Sequence, residues 1–385
     1  YVFRGGLKAV VRTDILQLAA LVGLGLAAAV LIALAAARPE AAALVAADAA
    51  SRARNGADAS LPWTALAGYY LLWSLADPMF PHFMQRFFAA RDDRALYRSM
   101  AAYPFVLVLV FLPMTAIGVL GRSLMPGLQG ARTDGVFTAL VNALAGPGWG
   151  ALFSIAALAA LMSTMDSQLL SCASMLSGDL FPGRKGDGTR GEGGKRAAAA
   201  GLALGALAWL VSLRPPEAML AFLNRAAFPG YAILAPVALA ALYAPAVGAG
   251  SAMAALVAGA ILVAAQAAGL FAPPIPAVFF NAGVQVAVLA FGWLLARGNR
   301  GWGGIAVLRK PFSAKWAITF GVFLVAGLEL WSCGNTWSEA AGAFGLPRWV
   351  WYQALLVLGL GAAFIAFGRT GGRLAARTGP RPSDQ

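Results

Sequence analysis

Apolar residues gather into ten long runs, at about 14–36, 61–88, 99–120, 147–174, 197–213, 218–243, 249–270, 277–296, 316–334 and 349–368. A helix of about 20 apolar residues crosses the hydrocarbon core of a bilayer. The pattern therefore predicts an all-α integral membrane protein with about ten transmembrane helices. The shorter runs, such as 197–213, sit near the lower length limit. Two runs are interrupted. In 61–88 the sequence reads Trp73-Ser-Leu-Ala-Asp-Pro-Met-Phe-Pro-His82. Pro78 and Pro81 lack amide donors, so the carbonyls of Ser74 and Asp77 are expected to be freed. In 218–243, Pro229-Gly230 and Pro236 predict a similar break. Interrupted helices at mid-membrane mark binding sites in transporters; a packing kink is the competing reading.

Composition agrees with the pattern. Hydrophobic residues make up 60% and charged residues 12%, against roughly 25% charged in soluble domains. The 45 glycines suit close helix packing. A net charge of +13 would by itself suggest nucleic acid, but its distribution points elsewhere. With the first residues in the cytoplasm and the spans alternating, 21 of the 29 Lys and Arg fall inside and 7 outside. That is the positive-inside bias. It predicts a multi-pass protein of the plasma membrane, both ends of this chain cytoplasmic, and no nucleic-acid partner. Segments 37–60, Pro182–Lys195 and Arg297–Lys315 read as loops, and 369–385 as a disordered cytoplasmic tail. Cys172 and Cys333 form neither a disulfide framework nor a metal spacing. No signal-peptide pattern opens the chain, and position 1 is Tyr, so a beginning partway through a longer protein is expected.

The densest candidate chemistry lies in Ala160-Leu-Met-Ser-Thr-Met-Asp-Ser-Gln-Leu-Leu-Ser-Cys-Ala-Ser174. Ser163, Thr164, Asp166 and Ser167 bring four oxygen-bearing side chains into one apolar run. Polar groups at that depth are costly and usually functional. Oxygens beside an apolar path are what a hard cation needs in order to shed water. The Thr164 hydroxyl and the Ala160 carbonyl, one turn apart, share a helix face. The plainer reading is that such hydroxyls bond back to their own helix. Asp77 stands in a broken helix, with Arg225 or backbone groups as internal partners. Asp14 lies at an inner helix end near Arg12. His82, the only histidine, is a packing residue or a proton relay. These features read as an ion-coupled transporter rather than an enzyme, with no organic cofactor. A hydrolase built on Ser163 and His82 is disfavoured, since no Gly-x-Ser-x-Gly surrounds the serine.

Three motifs resemble the sodium:solute symporters of bacteria and animals. Gly5-Gly6-Leu-Lys-Ala-Val-Val-Arg-Thr-Asp-Ile-Leu-Gln17 is similar to the start of that family's fifth core helix. Pro81-His82 with Arg86-Phe-Phe-Ala-Ala-Arg91 looks like the end of the sixth. Ala160–Asp179 looks like the eighth and is the most specific. The resemblance implies a leucine-transporter-like fold of two inverted five-helix repeats, here lacking the first four core helices. Residues 1–36 would be the last helix of the first repeat and 61–243 the second repeat. Residues 249–368 would be four additional helices and 369–385 the tail, with the missing N-terminal helices of the same protein as partners.

By the same resemblance, Ala160, Ser163 and Thr164 would bind sodium. A second sodium site would use Asp14, Ser163, Asp166 and Ser167. Asp166 replaces a frequent hydroxyl there, which leaves proton coupling open. Trp73, Asp77 and Pro81 would face substrate, with Tyr70 in the outer vestibule. Asp77 departs from the aromatic residue of the proline-transporting branch. The implied activity is sodium-coupled symport of a small polar solute (an organic acid, amino acid, vitamin or sugar) by alternating access. A solute sensor is an alternative, although 369–385 leaves no room for a kinase. A transport-incompetent fragment is another.

Overall fold

A computed structural model describes residues 2–47, 63–128, 130–180, 192–213, 218–244, 247–297, 314–327, 340 and 342–378. Every regular element among them is a helix. In chain order these are α1 (Val2–Ala36), α2 (Pro39–Ala47), α3 (Trp63–Ala76), α4 (Pro81–Phe88), α5 (Asp93–Leu124), α6 (Val136–Ala145), α7 (Pro147–Met175) and α8 (Glu192–Ser212). There follow α9 (Met219–Phe222), α10 (Phe228–Ala232), α11 (Leu234–Tyr243), α12 (Ala249–Ala267), α13 (Ala277–Arg297), α14 (Ala314–Gly327) and α15 (Arg348–Thr378).

Seven stretches among the described residues are long and apolar enough to cross a membrane: Gly6–Ala36, Asp93–Leu124, Pro147–Asp179, Met219–Tyr243, Ala249–Ala267, Ala277–Leu295 and Arg348–Arg369. The chain is thus a multi-pass helical membrane protein. The other three runs are accounted for individually. Ala197–Ser212 and Ala314–Gly327 are apolar helices of shorter length, and 61–88 is broken. Residues of the 37–60, Pro182–Lys195 and Arg297–Lys315 segments, and Cys333, fall wholly or partly outside the described residues. Helix α15 runs on to Thr378, into the segment expected to be a disordered tail. Leu374-Ala-Ala-Arg377 is good helix-forming sequence and offsets the cost of Gly371-Gly372.

Both expected breaks are present. A 3-10 turn, Asp77–Met79, ends α3. Phe80 is extended, and Pro81 opens α4, where the missing amide costs nothing. One expectation is corrected here. The Asp77 carbonyl is not freed, because the Phe80 amide donates to it at 3.3 Å. In 219–243 the helix passes through a π turn, Leu223–Ala227, immediately before Pro229 and restarts as α10 and then α11. Helix α1 is kinked at Gly6, whose φ of 55° a side chain would resist.

The chain divides into two compact units, 1–54 with 85–218 and 334–385, and 55–84 with 219–333. In the first, α1, α5, α6 and α7 pack around Ala28, Ile32, Ile117, Leu120, Leu140 and Val141, and Val350 of α15 joins them. In the second, Leu72 and Ala76 of α3 meet Phe228 and Ala232 of α10 and Val278 of α13. Small residues set the approach of the helices. A Cβ on Gly121 of α5 would stand 2.9 Å from Leu140 Cδ1, and Leu140 is fully buried. Gly121→Val is therefore expected to cost about 1–3 kcal/mol by overpacking. A thermal melt of purified protein unchanged from the parent would count against this packing.

Candidate functional site

The first unit carries a polar cluster on an otherwise apolar bundle. On α7, Ser163, Ser167, Ser171 and Ser174 follow a spacing of four, four and three, which keeps them on one face. Helix α1 brings Asp14 to that face. The Ser163 hydroxyl donates to Asp14 Oδ1 at 2.6 Å. Arg86 Nη2, near the end of α4, donates to Asp14 Oδ2 at 2.5 Å and to Ser167 Oγ at 2.8 Å. Next along the row, the Ser171 hydroxyl lies 2.9 Å from Gln85 Oε1 and 2.8 Å from the Ser167 carbonyl. Gln85 Nε2 donates to Ser174 Oγ at 2.6 Å. One carboxylate and the Ser167 hydroxyl therefore meet on one guanidinium, Ser163 joins through the other carboxylate oxygen, and two further serines continue the polar row.

Burial is graded within the cluster. Ser167 and Ser171 are buried, and the Asp14 side chain keeps 18% of its exposure. Arg86 keeps 37%, so solvent screens its pairing with Asp14 in part. Asp166 is buried one position before Ser167. Thr164 is exposed, and its hydroxyl donates to the Ala160 carbonyl at 3.2 Å. That is the contact expected from their spacing, and it is also the back-bonding of the plainer reading. Among the described residues no group of three or more His, Cys, Asp and Glu could hold a metal. Any cation held here would rest on hydroxyl, carboxylate and carbonyl oxygens, the donor set of a hard ion.

The second unit holds the residues expected to face solute. Trp73 Nε1 donates to Asn224 Oδ1 at 3.1 Å, and its ring meets Phe228 edge-on at 4.6 Å. Phe80 packs against Tyr231 at 4.8 Å and lies parallel to the His82 ring at 5.5 Å. Both rings belong to an aromatic group around the helix break, where His82 is buried and packs. Asp77 begins the 3-10 turn, half-buried. Arg225 lies in the π turn Leu223–Ala227. Tyr70 is half-buried one turn before Trp73, and Pro81 begins α4.

The structure thus joins Asp14 with Ser163 directly and with Ser167 through Arg86, and Ala160 with Thr164. Sequence reasoning gave no role to Arg86, Gln85, Ser171, Ser174 or Asn224. The serine spacing was visible in the sequence. Their partners on α1 and α4 lie 81 and more positions away along the chain.

Residues 1–259 match the sequence profile of the sodium:solute symporter family. The chain belongs to that family. Two sodium/pantothenate symporters are similar to it. That of Haemophilus influenzae is 29% identical over 236 residues, 60% of this chain and 48% of the relative. That of Escherichia coli is 29% identical over 178 residues, 46% of this chain and 36% of the relative. The symporter-family chain therefore spans about half the length, or less, of these relatives. No solved structure gives a significant match. The family bears out the resemblance carried by the three motifs, and it is a family of transporters.

Proposed function

We propose that this chain forms part of a sodium-coupled symporter for a small polar organic solute. The observation that carries the reading is the Asp14 carboxylate, which accepts from Ser163 on one oxygen and, on the other, from an Arg86 guanidinium that also donates to Ser167. A carboxylate and two hydroxyls linked in this way have the charge and the oxygen donors to share a sodium ion. In this reading Arg86 is the internal counter-ion of Asp14 when sodium is away. Sodium takes the two Asp14 oxygens, and the guanidinium swings toward solvent, where it is already partly exposed. Asp166 adds a second carboxylate beside Ser167. Ala160 and Thr164, with Ser163, form the other sodium site. Ion binding stabilises the conformation that takes up solute, and release on the inner side completes alternating access.

On the solute side, Trp73 offers a ring face and Tyr70 a hydroxyl. Asp77 offers an acceptor for the hydroxyl or amide donors of the solute, and Pro81 fixes the break between them. The two similar symporters make pantothenate, an organic acid carrying hydroxyls and an amide N–H, the first solute to test. We assign 1–36 to the end of the first inverted repeat, 61–243 to the second repeat and 249–368 to additional helices, with both ends of this chain cytoplasmic.

The test is uptake by proteoliposomes of the full-length protein, with and without an inward sodium gradient. Labelled pantothenate is supplied first, then a panel of organic acids, amino acids and sugars. Sodium-driven accumulation of one solute is the expected result. Uptake driven by a proton gradient alone would replace sodium coupling. Failure of every solute under both gradients, by protein that binds no sodium, would refute transport through this site.

A further inference from the structure

A second feature lies away from the serine row. Helices α5 and α15 run against each other with two glycines of α15 in the seam. A Cβ on Gly361 would meet the Phe105 ring at 2.8 Å, and one on Gly368 would meet Tyr97 Cβ at 3.4 Å. Beside this seam opens a cavity of about 790 Å³. Its polar end holds Arg94 and Arg98, one turn apart on α5, and Arg369 of α15, with Tyr97 between them. Its other end is apolar, lined by Phe105 and Phe364 among others. From Arg94 to Phe105 the helix rises roughly 16 Å, so charge and grease are separated along the membrane normal. No acid lines the cavity among the described residues. None of the three arginines forms an ion pair among those residues.

Three like charges converging without an acid repel one another unless an anion sits among them. The arginines lie at the end of the spans that the charge distribution makes cytoplasmic, which is headgroup depth. Arginine binds phosphate oxygens with a planar fork of donors. Basic pockets between transmembrane helices hold anionic headgroups. The aromatic end, deeper in the bilayer, suits an acyl chain.

We infer that this cavity binds one anionic phospholipid, with its phosphate among Arg94, Arg98 and Arg369 and an acyl chain along Phe105 and Phe364. Charge complementarity and the amphipathic lining favour this occupant over a soluble anion, which would leave the apolar end empty. The site is independent of the sodium reading, since it shares no residue with the serine row.

The test uses full-length protein in detergent, with phosphatidylglycerol and phosphatidylcholine of identical chains. Native mass spectrometry counts retained lipid and a thermal melt reads stabilisation. Retention of phosphatidylglycerol but not phosphatidylcholine, with a higher melting temperature, is expected. Arg98→Gln with Arg369→Gln should weaken phosphatidylglycerol binding about thirtyfold, with the lipid-free melt no lower than the parent's. If that pair does not fold, Arg94→Gln alone and a salt titration of the parent replace it; added salt should release phosphatidylglycerol. Equal retention of both lipids, unchanged binding in the variants, or equal stabilisation by inorganic phosphate alone would each overturn the proposal.

Discussion

Asp14→Asn is expected to raise the sodium concentration for half-maximal uptake by about ten- to hundredfold. The carboxylate accepts from Ser163 and Arg86 on its two oxygens, so it is the charged centre of the cluster. Charge-assisted contacts of this kind contribute about 1.5–3 kcal/mol, and each 1.4 kcal/mol is about tenfold in affinity. Asparagine keeps the shape and one acceptor but removes the charge. The measurement is sodium-dependent uptake, paired with a melt in sodium and in choline. A variant that folds and keeps the parent's sodium dependence would remove Asp14 from the ion site. Loss of uptake at every sodium concentration, with the sodium-induced melt shift intact, would place its role after binding.

Arg86→Gln is expected to act in the opposite direction, lowering the half-saturating sodium concentration by about fivefold. In the parent, sodium must displace a guanidinium already bonded to Asp14 and Ser167. Arg86 is partly exposed, so its contribution is screened to about 1 kcal/mol. Without it, Asp14 is left short of a counter-ion, and the melt should fall in choline yet recover in sodium. Asp14→Asn combined with Arg86→Gln should resemble Asp14→Asn alone, because the arginine acts through the carboxylate. Tighter sodium binding in the double variant would show that Arg86 acts elsewhere. Weaker sodium binding in Arg86→Gln would make the guanidinium a positioning group for Asp14 rather than a competitor.

What the sequence disclosed follows how local each feature is. The break at Asp77–Pro81 was legible because two prolines act on their own turn. The Thr164 to Ala160 contact was legible because it spans four residues of one helix. Asp14 with Ser163 joins residues 149 positions apart, and only family resemblance could pair them. Arg86 stayed unassigned because the tertiary path of α4, not its local pattern, aims it at Asp14. The fate of the Asp77 carbonyl was misjudged because the i−4 rule for proline ignores the 3-10 alternative, in which Phe80 bonds back three residues. The extension of α15 was missed because Gly371-Gly372 argued for a tail.

The hydroxyls of α7 have a bearing on speed. Thr164 donates to the Ala160 carbonyl, Ser171 can donate to that of Ser167, and Ser174 donates to that of Ser171. Each of these three hydroxyls thus has a resting place on its own backbone. In the proposed sodium site, an ion leaving Thr164 therefore leaves no orphaned hydroxyl in hydrocarbon, so its departure carries little penalty. A wall of carboxylates would grip harder and let go slowly. A hydroxyl-lined helix caps its own affinity, and a carrier must unload on every cycle before it can turn over again.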